Sequence, residues 1–282
     1  MPVVLADITP AQLDQLSRDV QPQVVEWRRW FHQNPELGNR EFNTSAKITE
    51  ILGGMGLEPK TGIAHTGIVA LIRGGKPGPL VAIRTDMDAL PVTEETGLPF
   101  ASTARSEYNG QAVGVMHACG HDSHMAMVLG AATVLNAVKD ELPGSVMLIF
   151  QPAEEGAPPG EEGGAELMLK EGVWAENMPE AVFGLHVGVG QSSGLAVRSG
   201  PAMAAVDSFT LTVKGKQTHG AAPWNGIDPV VVAAQIILGL QTIESRQVDV
   251  TLAPSIVTVG RINGGVRNNI IPDSVEMEGT IR

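Results

Sequence analysis

Short apolar runs alternate with longer segments of helical periodicity through the first part of the chain. The runs are rich in β-branched residues and are bounded by glycine and proline, which predicts buried strands at 67–73, 80–84, 145–150 and 181–187. Apolar positions at helical spacing predict one or two helices at 11–31, begun by Thr9 and Pro10, and further helices at 41–52 and 123–138. This alternation predicts an α/β fold with a mixed, largely parallel sheet and helices on both of its faces.

The pattern changes after residue 200. Polar and apolar positions alternate at 209–214, 255–261 and 274–281, and an amphipathic helix covers 228–243. The order β-α-β-β predicts a smaller α+β domain of ferredoxin-like type with an antiparallel sheet. With three strands and one helix, this domain is incomplete. We place the boundary between Ala196 and Ser208, which gives a larger domain at 1–200 and a smaller one at 201–282.

Composition and charge narrow the classes of partner. The formal net charge of −12 argues against nucleic acid and anionic membranes. A single cysteine excludes an internal disulfide framework and suits a reducing compartment. The first residues lack the basic and apolar segments of a signal peptide, and no apolar run reaches membrane-spanning length. We therefore expect a cytoplasmic protein that binds neither a membrane nor nucleic acid.

Polar groups that can bind metal follow several of the predicted strands. Asp86 and Asp88 come after the strand at 80–84, Glu154 and Glu155 follow the strand at 145–150, and His186 lies near the end of the strand at 181–187. Open α/β sheets place their ligands at the carboxyl ends of their strands. Each group also has a simpler interpretation, such as a solvated turn or a hydrogen-bonded core histidine. Their repetition at strand ends favours one shared site.

The stretch from Met116 to His124 is the densest cluster of metal-ligand side chains. It holds three of the seven histidines and the only cysteine. Cys119 and His121, separated by one residue, can point at one ion; the alternative is a buried free cysteine beside surface histidines. Together with His186 and one of the two glutamates they form a ligand set suited to zinc, manganese, cobalt or nickel. The residues alone thus indicate a metal-dependent hydrolase, without identifying its substrate.

Several motifs, in this order along the chain, resemble the aminoacylase/carboxypeptidase family of metallopeptidases. The closest branch is that of hippurate hydrolases, N-acyl-amino-acid amidohydrolases and indole-acetyl-amino-acid hydrolases. The motifs are 30–37, Asp86–Pro91, His117–Asp122, Pro152–Gly156, Gly184–His186, 215–223 and Asn269–Pro272. The resemblance covers nearly the whole chain and implies two divalent metal ions, a small N-acyl amino acid or short peptide as substrate, and a homodimer.

The resemblance also implies roles for individual residues of the larger domain. Cys119 would bridge the two ions, His121 and His186 would complete one metal site, and Glu155 would serve the other. Glu154 would be the general base that takes a proton from water and passes it to the leaving amine.

Other roles implied by the resemblance lie beside or outside this ligand set. Asp88 would orient the ligands from behind, and Asp86 is a weaker candidate for that work. In the smaller domain, His219 would reach the partner subunit's site to polarise the scissile carbonyl, and Asn269 would help to hold substrate. Local sequence alone would make these last two residues an ordinary turn histidine and turn asparagine.

One departure from the family pattern concerns the end of the chain. In the family a later segment returns to the catalytic domain and supplies a last histidine to the second metal, whereas here the chain stops at Arg282 and no histidine follows His219. We therefore expect the second ion to bind weakly. Two alternatives to the amidohydrolase remain open: a catalytically impaired, truncated homologue that binds metal or dimerises, and a related metal-dependent aminopeptidase or dipeptidase.

Overall fold

The computed structural model describes residues 8–188, 190, 194–249, 251 and 255–282. The chain divides into two compact units, Met1–Gly190 and Gln191–Arg282. The predicted absence of a signal peptide concerns residues 1–7, which lie outside the described residues. Among the residues described, no helix is both long and apolar enough to cross a membrane.

The helices of the first unit are α1 (Pro10–Gln33), α2 (Phe42–Gly54), α3 (His121–Ala137) and α4 (Gly164–Lys170). Thr9 begins α1 as predicted: its hydroxyl accepts from the Gln12 amide while the Gln12 side chain accepts from the Thr9 amide, a capping box. The helices predicted at 41–52 and 123–138 are confirmed to within about two residues at each end. The short helix α4 was not predicted.

The first unit contains seven strands, all within its described part. They are β1 (Lys60–Ile63), β2 (Gly67–Arg73), β3 (Lys76–Asp86), β4 (Arg105–Tyr108), β5 (Gln111–Gly114), β6 (Pro143–Gln151) and β7 (Ala181–Gly184). Five of them form one sheet in the order β1-β2-β6-β3-β7, and β4 pairs with β5 in a separate hairpin. Within the sheet β6, β3 and β7 run parallel, whereas β1 with β2 and β2 with β6 are antiparallel.

Both faces of this sheet are covered, because β2, β3 and β6 bury side chains on either side. On one face Ile68 and Leu148 pack with Phe31 of α1, Leu52 of α2 and Leu129 of α3 in the larger core. On the other face Met147 and Ile149 pack with Met168 of α4. The predicted α/β architecture, a mixed sheet with helices on both faces, is confirmed; its parallel part is limited to β6, β3 and β7.

The second unit is built on a three-stranded antiparallel sheet. Its elements are β8 (Asp207–Lys214), β9 (Thr218–His219), α5 (Pro229–Leu240), α6 (Thr242–Arg246), β10 (Val257–Asn263), β11 (Ile270–Ile271) and β12 (Ser274–Ile281). The sheet has the order β10-β12-β8, and β9 pairs with β11. Ala233 of α5 packs on Val213, Val275 and Met277 of the sheet. The predicted order β-α-β-β is present; the boundary predicted between 196 and 208 stays a prediction.

Candidate metal centre

Three parallel strands deliver polar side chains to the same edge of the sheet. Asp86, the last residue of β3, is paired in register with Gln151, the last residue of β6. On the other side of β3, Arg84 is paired with Gly184, where β7 ends. The chain therefore carries Glu154, Glu155 and His186 into the space beyond these strand ends, as the sequence predicted.

Helix α3 begins at this same edge and supplies the remaining ligand candidates. Its first residue is His121, and Gly120 before it has a φ of +93°, in the left-handed region that favours glycine. A Cβ on Gly120 would lie 2.3 Å from Cγ2 of Val187, the residue after His186. The glycine thus allows the start of α3, with Cys119 and His121 on either side of it, to lie against the segment that carries His186.

The structure brings four of the predicted ligands together. Ligand atoms of Cys119, His121 and Glu155 all lie within 4.8 Å of one another, and the Sγ atom of Cys119 lies 3.4 Å from Nε2 of His186. Cys119 is half-buried and His121 is fully buried, whereas Glu155 reaches solvent. A thiolate, two imidazoles and a carboxylate that converge in this way suit a borderline divalent metal.

Hydrogen bonds orient both histidines with Nε2 toward this centre. Nδ1 of His121 donates to the backbone oxygen of Asp88 at 2.8 Å, and Nδ1 of His186 donates to the backbone oxygen of Val187 at 2.7 Å. Since a carbonyl only accepts, Nδ1 carries the proton in each ring and Nε2 is the nitrogen left for a ligand. Nε2 of His121 is buried and makes no hydrogen bond within the described chain. Such an unpartnered nitrogen fits a metal site.

Charges around the centre favour a cation. Burial and the neighbouring Glu155, Glu154 and Asp86 raise the pKa of the Cys119 thiol to about 12. Burial acts to lower the pKa of His121, but Asp88, Asp86 and Glu154 together raise it to about 9. Both shifts share one contribution, the excess of nearby carboxylates, which a divalent ion would offset. The residues therefore fit a bound metal by donor chemistry and by charge.

Glu154 differs from its neighbour in its surroundings. Its side chain is about 37% exposed; one carboxylate oxygen lies 3.8 Å from Nε2 of His121 and the other lies 3.9 Å from Arg84. Burial raises the pKa of Glu154, with Asp86 and Glu155 adding to the effect and Arg84 and His121 opposing it. A carboxylate with a raised pKa beside a metal site is suited to proton transfer.

Asp88 lies next to two of the proposed ligands, near the backbone amide of Glu155 and the ring of His121. Its Oδ2 atom accepts from the amide of Glu155 at 3.0 Å, and its Oδ1 atom lies 3.4 Å from Nδ1 of His121. The resemblance implied that Asp88 orients the ligands, and this role stays a prediction. The side chain is fully buried.

A second group, Asp86, His121 and His124, also has metal-ligand atoms close together. Here both nitrogens of His124 are already used: Nδ1 contacts Oδ1 of Asp86 at 2.7 Å, and Nε2 accepts from the amide of Val187 at 2.9 Å. His124 therefore braces the segment beside His186 and offers no free ligand atom. Sequence reasoning overlooked this residue, although its spacing of three from His121 places both on one face of α3.

His117, the first histidine of the cluster, stands apart from the ligand groups found among the described residues. Burial lowers its pKa to about 4, so the ring is neutral.

The second unit holds the two predicted substrate-binding residues close to each other. His219 and Ile270 are paired between β9 and β11, and the amide of Gly220 donates to the backbone oxygen of Asn269 at 2.8 Å. Nδ1 of His219 accepts from the amide of Ala221 at 3.0 Å, so the ring presents its Nε2–H outward. Such a group can donate to a carbonyl oxygen.

Residues 82–262 match the family described as peptidase family M20/M25/M40. The chain is 45% identical to thermostable carboxypeptidase 1 of Saccharolobus solfataricus, over 94% of this chain and 64% of that protein. It is 43% identical to N-acetyl-L-cysteine deacetylase of Bacillus subtilis, over 93% of this chain and 60% of that protein. The chain thus spans less than two thirds of the length of these curated relatives.

A solved structure agrees with this match. A dinuclear metal-binding peptidase of the M20 family from Bacillus subtilis is 38% identical, with a TM-score of 0.67 over 94% of this chain and 65% of that one.

Proposed function

Because the chain belongs to peptidase family M20/M25/M40, we propose that it hydrolyses the amide bond of N-acyl amino acids with the help of divalent metal ions. One observation carries the proposal: ligand atoms of Cys119, His121 and Glu155 converge within 4.8 Å where the parallel strands end. Two of the relatives, a carboxypeptidase and an N-acetyl-L-cysteine deacetylase, both cleave a bond between a carbonyl carbon and an amine nitrogen.

In this proposal Cys119 would be a ligand to both ions. His121 and His186 would hold one ion through their Nε2 atoms, and Glu155 would hold the other. Zinc, manganese, cobalt and nickel all suit this mixture of thiolate, imidazole and carboxylate. When bound, such ions lower the pKa of water to near 7 and polarise a carbonyl oxygen.

Glu154 performs the proton transfers. Its carboxylate takes a proton from the attacking water, whose oxygen forms a bond to the amide carbon. When the bond from carbon to nitrogen breaks, Glu154 returns that proton to the leaving amine, so the products are a carboxylate and a free amine. The raised pKa of Glu154 supports the second half of this cycle, because the protonated form is easier to populate.

The second unit carries two further residues of the proposal, His219 and Asn269. We propose that the Nε2–H of His219 donates to the scissile carbonyl and that Asn269 binds the substrate. The outward Nε2–H of His219 supports this role. We further propose a homodimer, in which His219 serves the partner subunit, and a cytoplasmic location, because a thiolate ligand requires a reduced cysteine.

The proposal is tested by metal analysis and turnover of the purified protein. Acetyl-, benzoyl- and indole-acetyl-amino acids are compared with free dipeptides, with manganese or zinc added. Turnover of the acylated substrates alone is the expected result. Cleavage of the free dipeptides alone would identify an aminopeptidase or dipeptidase instead. Stoichiometric metal without turnover of any substrate would identify a metal-binding homologue that lacks this activity.

A further inference from the structure

Glu41 is a fully buried carboxylate outside the proposed ligand set. Its Oε1 atom accepts from the backbone amide of Ala153 at 2.9 Å, and its Oε2 atom accepts from the hydroxyl of Thr66 at 2.6 Å. Ala153 directly precedes Glu154. The carboxylate therefore holds the backbone of the turn that carries both glutamates of the proposed site.

Glu41 is not needed for its own helix, although it lies at the N-cap position of α2. Its side chain makes no capping hydrogen bond. Glu36 does that work instead: its carboxylate accepts from the amides of Asn43 at 3.1 Å and Thr44 at 2.8 Å. With the start of α2 satisfied by Glu36, the side chain of Glu41 is available to reach the turn after β6.

The turn itself has a backbone that requires support. Ala153 has a φ of +46°, in the left-handed region that an L-residue with a side chain rarely adopts. Such conformations persist where surrounding contacts impose them. Gly38 lies against the same turn: a Cβ there would be 3.0 Å from the oxygen of Gly156 and 3.2 Å from Cα of Ala153.

Two buried carboxylates thus accept hydrogen bonds from the turn, one on either side of Glu154. Glu41 holds the amide of Ala153, and Asp88 holds the amide of Glu155 at 3.0 Å. We propose that Glu41 is a positioning residue that fixes the Ala153–Glu155 turn and thereby aims Glu154 and Glu155. This inference rests on the proposed function for its kinetic consequence, but the hydrogen bond to Ala153 can be tested without it.

The test compares two substitutions at this position. Glu41→Gln keeps an oxygen that accepts from Ala153, so we expect slow exchange of the Ala153 amide hydrogen and nearly normal turnover. Glu41→Ala removes the acceptor, so that amide exchanges faster, by about tenfold or more in local opening. We expect kcat to fall about 10- to 100-fold, because small displacements of reacting groups have effects of this size, while KM changes little.

Glu36→Ala is the matched control. It removes a carboxylate that makes more hydrogen bonds to α2 than Glu41 does, and none of these bonds involves the turn. We expect lower thermal stability in this variant, with kcat and the exchange of the Ala153 amide unchanged. Equal losses of kcat in the two alanine variants would overturn the proposal, since general loosening would then explain both. So would a folded Glu41→Ala protein whose Ala153 amide exchanges as slowly as in the wild type.

A double variant covers the case in which Glu41→Ala does not fold. Glycine adopts positive φ without strain, so Ala153→Gly should restore part of what Glu41→Ala removes, in folding and in kcat. No recovery in the double variant would contradict the role given to the strained turn. If the wild type itself hydrolyses none of the substrates, the proposed function fails, and the exchange of the Ala153 amide still decides whether Glu41 holds the turn.

Discussion

Cys119 lies where its ionised form is unfavourable without a cation beside it. Burial and the carboxylates of Glu155, Glu154 and Asp86 raise its pKa to about 12. The Cys119 thiol must lose its proton to bind a metal ion. His121, with a pKa raised to about 9, must likewise present an unprotonated Nε2. Metal binding and proton release are therefore linked at this site, and metal affinity should weaken as the pH falls.

Substituting Cys119 tests whether it is a ligand shared by two ions. We expect Cys119→Ala to lose bound metal and turnover together, because a methyl group can neither coordinate an ion nor separate two positive charges. A packing role alone predicts normal metal content and a cost of about 1–3 kcal/mol in the free energy of unfolding. Metal bound per chain, measured after dialysis, distinguishes the two, and an unchanged value would rule out the shared ligand.

Substituting Glu154 separates proton transfer from metal binding. Glu154→Gln should retain the metal, since this side chain is not among the proposed ligands, and should lower kcat by about 10²–10⁴-fold through loss of the general base. The measurement is kcat in protein with confirmed metal content. Glu155→Gln is the comparison, because it should lose metal affinity as well. Normal turnover by folded Glu154→Gln protein would assign the base elsewhere.

At the scale of elements, a buried histidine fastens α1 to the start of α3 and to the loop after β3. Nδ1 of His32 contacts Oδ2 of Asp122 at 2.8 Å, and Nε2 contacts Oε1 of Glu94 at 3.0 Å. Nε of Arg28 reaches the same Asp122 oxygen at 2.8 Å, and the ring of Phe100 packs edge-on against His32. Because carboxylates only accept, both ring nitrogens donate and His32 carries a positive charge.

This arrangement predicts a pH-dependent contribution to stability. Hydrogen bonds to Asp122 and Glu94 raise the pKa of His32 above 6.5, against the opposing effect of burial. A raised histidine pKa stabilises the fold fully below the unfolded value of 6.5, and this stabilisation is lost as pH rises through the folded value. The carboxylate pKa values of Asp122 and Glu94 are lowered despite burial, so their own contributions are lost in acid instead.

His32→Gln measures this contribution. We expect the free energy of unfolding to drop by about 1–3 kcal/mol near pH 6, because the buried carboxylates lose a charged donor. The difference between wild type and variant should shrink as the pH rises above the folded pKa of His32. Denaturant titrations at several pH values give the result. A difference that stays constant with pH would mean that His32 acts by packing and not by charge.

The sequence predicted those elements whose buried side chains form a recognisable apolar pattern. Strands β2, β3 and β6 bury side chains on both faces, and the apolar runs at 67–73, 80–84 and 145–150 reveal them. The strands β1, β4 and β5 were not predicted, because their residues are mostly exposed and carry no apolar period. The apolar run predicted a strand at 181–187, but β7 ends at Gly184. His186 therefore lies just after the strand and not within it.

The ligand types were predictable from the sequence, and so was Asp88 beside them, whereas the contacts of Glu41 and His124 were not. Cys119 and His121 are separated by one residue in the sequence, and Glu154 and Glu155 follow a recognisable strand. Glu41, in contrast, contacts an amide 112 residues away, and His124 an amide 63 residues away. Only the folded sheet brings such groups together, and no local pattern of residues records these contacts.

At the scale of the whole molecule, the proposed catalytic groups are divided between two compact units. Glu154 and the metal ligands belong to the first unit, while His219 belongs to the second. If His219 serves the partner subunit, as we propose, each catalytic site combines the first unit of one protomer with the second unit of the other. Single substitutions in the two units should then complement each other in a mixed dimer.

Coexpression of Glu154→Gln and His219→Ala chains tests this arrangement. Each variant alone should be nearly inactive with metal retained, but a mixed dimer has one site in which both groups are intact. Random pairing makes half of the dimers mixed, with one competent site of two, so about a quarter of wild-type activity should return in a symmetric dimer. Coexpression of Glu154→Gln with Cys119→Ala is the matched control, because both groups lie in the first unit and every site keeps a defect. If His219 instead acts within its own chain, neither mixture recovers, and that result would refute the shared site while leaving the metal ligands untouched.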